Sequence, residues 1–74
     1  MSEQKTAQEL LVVWQNCIRW AEEGDGGVNL YDILESAHQT LEAAKKEGIE
    51  VQTLVPDPET RKSLEKDAVL FLEE

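Results

Sequence analysis

The sequence predicts a small all-α protein, a three-helix bundle with an extended strap between its second and third helices. Three observations predict it. Apolar residues recur at steps of three and four in three separate segments, each segment opens on a residue that caps helices, and glycines or an Asp-Pro pair stand between them. With 74 residues, 41% of them apolar, the chain can bury one small core, so residues 1–74 are expected to form a single domain.

The first helix is expected over about 6–23. Thr6 and Glu9 have the spacing of a capping box, in which hydroxyl and carboxylate each satisfy an otherwise unpaired backbone N–H. Ala7, Leu10, Leu11, Trp14, Cys17, Ile18 and Ala21 then form one face, with Gln8, Gln15, Asn16 and Arg19 opposite. Gly24, Gly26 and Gly27 end it, because residues without Cβ accept the conformations of a helix stop and a tight turn.

The second helix is expected over about 29–47. Asn29 is its N-cap, and Asp32 places a negative charge in the first turn, where the helix dipole favours it. Leu30, Ile33, Leu34, Ala37, Leu41 and Ala44 make a narrow stripe, and Lys45, Lys46 and Gly48 supply last-turn cations and a terminator. Residues 49–56 alternate in part, with Ile49, Val51 and Val55 on one side, and read as an extended strap. Asp57 and Pro58 then stand as N-cap and first position of a third helix over about 57–72. Its inner face is expected to be Leu64, Ala68, Phe71 and Leu72, with Arg61, Lys62, Glu65 and Lys66 as a solvated ladder. The competing fold is a small α+β domain in which 51–55 pairs with 68–72 as a hairpin-like ribbon.

Composition excludes several functions. Seven Lys and Arg face sixteen Asp and Glu, a net charge of −9, so phosphate contacts are unfavourable and direct nucleic-acid binding is not expected. The longest apolar runs are five residues, far short of the roughly 20 that span a bilayer, and Met1 to Glu9 holds no stretch like a signal peptide. The single cysteine, Cys17, cannot form an internal disulfide, so a cytoplasmic protein without membrane contact is expected.

Catalytic and metal chemistry find little to work with. Cys17 and His38 are the only thiol and imidazole, but Cys17 falls on the apolar face of the first helix, where free cysteine behaves as a small hydrophobe. The carboxylates fall in glycine turns and on polar faces, without the burial that raises a pKa for acid/base work. No enzyme and no cofactor are therefore expected. An EF-hand alignment on Gly26 places Glu23, Asp25 and Asn29 at ligand positions, but puts Ala21 first and Asp32 where a bidentate Glu belongs. Calcium binding is the least favoured reading, and no metal ligands are assigned.

More apolar residues are present than three packed helices require. Val13 and Trp20 share one margin of the first helix, Tyr31 and His38 one margin of the second, and Val69 and Leu70 point away from Leu64 in the third. Charge is concentrated as well. From Trp20 to Ala44 there are six acids, Glu22, Glu23, Asp25, Asp32, Glu35 and Glu42, and no Lys or Arg. Trp20, Glu22, Glu23, Asp25, Tyr31, Asp32 and Glu35 thus form the expected partner-binding set, with charge steering the encounter and aromatics holding it. Val13, His38, Val69 and Leu70 form an expected second or dimer surface.

The expected function is a non-catalytic acidic binding module, a regulator or stoichiometric inhibitor that docks on a basic, nucleic-acid-binding type of surface on a larger protein. Small antagonists encoded by phages and mobile elements are of this type. The alternative is a homodimeric structural or accessory protein whose acids only solubilise it.

Overall fold

The computed structural model describes residues 5–24 and 29–73. Among these are four helices and no strand: α1 (Ala7–Glu22), α2 (Leu30–Glu47), α3 (Val51–Leu54) and α4 (Pro58–Glu73). The long helices begin where their caps predict. Thr6 Oγ1 accepts from the Glu9 N–H at 3.2 Å while Thr6 N–H donates to Glu9 Oε1 at 3.0 Å, the reciprocal pair of a capping box. Asn29 Oδ1 accepts from the Asp32 N–H at 2.9 Å, and Asp57 Oδ2 accepts from the Thr60 N–H at 3.0 Å and the Thr60 hydroxyl at 2.6 Å. These cap bonds hold the Glu9 and Asp57 carboxyls below their usual range: Thr6's backbone N–H and then its hydroxyl act on Glu9, Thr60's hydroxyl and then its N–H on Asp57.

At its other end α2 closes in a Schellman turn. The Ile49 N–H donates to the Ala44 carbonyl at 2.9 Å and the Gly48 N–H to that of Lys45 at 3.2 Å. This needs Gly48 at φ 71°, a left-handed conformation that a Cβ would strain.

α2 is the central helix, packed by α1 on one side and α4 on the other. Its inward face is built of small residues, Ser36, Ala37, Thr40 and Ala44, with Leu34 at one end. The two hydroxyls are satisfied within the helix: Ser36 Oγ donates to the Asp32 carbonyl at 2.9 Å, and Thr40 Oγ1 to that of Ser36 at 2.7 Å. α2 therefore offers its neighbours a low surface with no unmet polar group. Leu11 and Trp14 of α1, Leu64 and Ala68 of α4 and Val55 complete the core around Ala37. One polar contact crosses it, the Trp14 Nε1–H donating to Asp67 Oδ2 at 3.0 Å.

Three expectations are corrected. Residues 49–56 are not fully extended: 51–54 form one helical turn, in which the Leu54 N–H donates to the Glu50 carbonyl at 3.0 Å and the Val55 N–H to that of Val51 at 2.8 Å. A lone extended segment would leave these N–H groups without partners; the turn satisfies them locally and still delivers Val55 to the core. The α+β pairing is not formed, since 68–72 lie within α4. Finally, Leu72 is 68% exposed rather than internal, while Arg61 is half-buried, its Nη1–H donating to the Val55 carbonyl at 3.3 Å.

Candidate functional site

α1 and α2 run antiparallel, and one bond fixes their register. The Ala7 N–H, at the start of α1, donates to Glu47 Oε2, at the end of α2, at 2.8 Å. An equal rise of about 1.5 Å per residue in both helices then carries Trp20 to the level of Leu34, at the hairpin end. α4 returns its C-terminal turns to that end: the Phe71 ring lies 5.5 Å from Tyr31, tilted, and 5.0 Å from His38, stacked. Glu22, Glu23, Asp32 and Glu35 therefore share one end of the bundle with Trp20, Tyr31, Val69 and Leu70.

Trp20 is 44% exposed and Tyr31 53%. Both sit outside the core, and the Tyr31 ring is tilted against Phe71. Glu22 and Glu23 are exposed, whereas Asp32 and Glu35 are half-buried. Asp25 and the glycines at 26 and 27, with the calcium alignment that rests on them, lie outside the described residues. The segments 17–24, 29–36 and 69–73 that build this end contain one cation, Arg19. Its Nη2–H donates to Asn16 Oδ1 at 3.0 Å, about two turns back from Glu22 and Glu23.

The second expected surface is divided. Val13 is half-buried in a groove of about 480 Å³ between α1 and α2, which it lines with Leu10 and Ala43. Val69 and Leu70 lie on α4, which does not line that groove, and His38 is half-covered by its stack on Phe71. Two contributors were missed in the sequence. Spacing alone puts Leu30 on the inner stripe of α2 and Leu72 on that of α4, yet they are 66% and 68% exposed. Both sit in terminal turns, where a neighbouring helix has already ended and the inward direction no longer leads to a partner. Cys17 is buried, and burial followed by the negative charge of Asp32 pushes its thiol up, which keeps it protonated and inert.

Fold and site together define a small all-α protein with an aromatic and acidic end. No family model, curated protein or solved structure matches the chain. Among the described residues, no helix is long and apolar enough to cross a membrane.

Proposed function

We propose that the chain is a non-catalytic binding module whose hairpin end docks on a basic surface of a larger protein, as a regulator or stoichiometric inhibitor. The supporting observation is a coincidence at one end of the bundle. Six exposed large apolar side chains, Trp20, Leu30, Tyr31, Val69, Leu70 and Leu72, meet Glu22, Glu23, Asp32 and Glu35 where only Arg19 opposes them. Among the described residues, only Val12 of the exposed large apolar side chains lies elsewhere. Apolar area left in water at a tip carrying one sign of charge suits a partner of opposite sign. Long-range attraction speeds the encounter, and the aromatics slow dissociation.

Affinity capture from the source cells, run in parallel with the wild type and with Glu22 and Glu23 changed to Lys, tests this. A basic protein retained at a fixed ratio by the wild type and lost with the variant supports docking. Equal retention by both removes the acidic end from the interaction.

A further inference from the structure

Resting on that docking, we propose that the groove between α1 and α2 receives an amphipathic helix of the partner, and that this helix presents arginine rather than lysine to Trp20. The groove has an apolar floor of Leu10, Val13 and Ala43. Its rims continue toward the hairpin end. Trp20 follows Val13 by seven residues and so lies on the same rim of α1; Asp32 and Glu35 precede Gln39 by seven and four and lie on the facing rim of α2. The lined floor ends at Val13 on α1, and helical spacing carries the same line on to Trp20, about 15 Å from Leu10 and close to three turns of an added helix.

Its two ends differ in charge. Lys5 and Lys46 line the end away from the hairpin and Glu42 stands between them and Gln39, whereas Asp32 and Glu35, about two turns and one turn before Gln39 by helical spacing, continue the α2 rim past the lined floor at the other end. A bound helix carrying cations at one end and acids at the other is therefore oriented by the groove, with its cations over Trp20. There the chemistry selects a guanidinium. Trp20 is 44% exposed, Glu23 caps the same helix three residues on, and helical spacing puts Asp32 and Glu35 on the facing rim of α2. A planar guanidinium stacks on the ring while its edge donates a forked pair of hydrogen bonds to a carboxylate; a compact, strongly hydrated ammonium does only one of these. Arg19, which could fill the place from within the chain, is held toward Asn16.

Calorimetric titration with two synthetic helical peptides of about 15 residues tests the proposal. Both carry a leucine stripe and glutamates at one end; one has three arginines at the other end, its twin three lysines. The arginine peptide is expected to bind about fivefold or more tightly than its twin. Trp20→Ala should erase that preference, and Trp20→Phe, which keeps an aromatic face and guards against loss of fold, should retain part of it. Equal affinities, no binding of either peptide, or a preference that survives Trp20→Ala would overturn the arginine inference. If both peptides bind equally and the Glu22 and Glu23 reversals weaken both, acidic docking stands without it. If the reversals change nothing, acidic docking falls too.

Discussion

Trp14 is the residue on which the packing of α1 and α4 turns. Its ring is buried between the helices, and its Nε1–H finds Asp67 at 3.0 Å, so the largest core side chain brings no unmet donor inside. Trp14→Phe should cost about 1 kcal/mol in urea unfolding beyond what the lost ring area accounts for, because Asp67 then keeps its carboxylate without the indole donor. Asp67→Ala made in the Trp14→Phe background should cost less than in the wild type. Strict additivity of the two would show that the hydrogen bond contributes nothing. Replacing Leu64, fully buried in the same core cluster, should cost about 2–5 kcal/mol as Leu64→Ala, enough to leave a chain of this size partly unfolded by circular dichroism at 25 °C.

At the scale of elements, the helix ends carry the specificity. α1, α2 and α4 start within a residue of their expected positions because Thr6, Asn29 and Asp57 bind the backbone in ways that depend on nearby sequence alone. Only neighbours three residues away are involved, so the boundaries were legible. What was not legible depended on distant partners. The β-branched alternation of Ile49, Val51 and Val55 resembles a strand, yet no second strand is present among the described residues, and a helical turn satisfies the backbone instead. Leu30, Leu72 and Arg61 depart from their expected burial for a related reason, since helical spacing gives a direction and not whether anything stands there.

The caps also make stability depend on pH. Asp57 and Glu9 are held below their usual range in the fold, so their contribution is present above the unfolded carboxylate pKa, about 4, and is lost as pH falls through the folded values. Asp57→Asn keeps the capping oxygen and removes the titration. Thermal melts between pH 6 and 3 should show a smaller fall in midpoint for this variant than for the wild type; parallel curves would assign the acid sensitivity elsewhere.

The whole molecule has a radius of gyration of 12.0 Å, near the roughly 11 Å of a compact chain of this length, and its charge is unevenly spread. Five of the seven cations, Lys5, Lys45, Lys46, Arg61 and Lys62, belong to segments near the end opposite the hairpin or to the start of α4. The acidic window from Trp20 to Ala44 was legible as a run. That α4 would return Leu70 and Leu72 to the same end was not, because it follows from the antiparallel turn through α3 and from Phe71 meeting Tyr31 and His38. A net charge of −9 thereby acquires a direction: one end of the bundle attracts cations over distance and offers apolar area at contact.

That directional charge is the central claim, and the salt dependence of association tests it most directly. With the partner retained by affinity capture, association rates would be measured by stopped flow from low to physiological ionic strength, for the wild type and for Glu22→Lys/Glu23→Lys/Asp25→Lys. The wild type should associate faster as salt is lowered, and the variant should show slower association and a nearly flat dependence at an unchanged melting temperature. Identical slopes for the two proteins would contradict it.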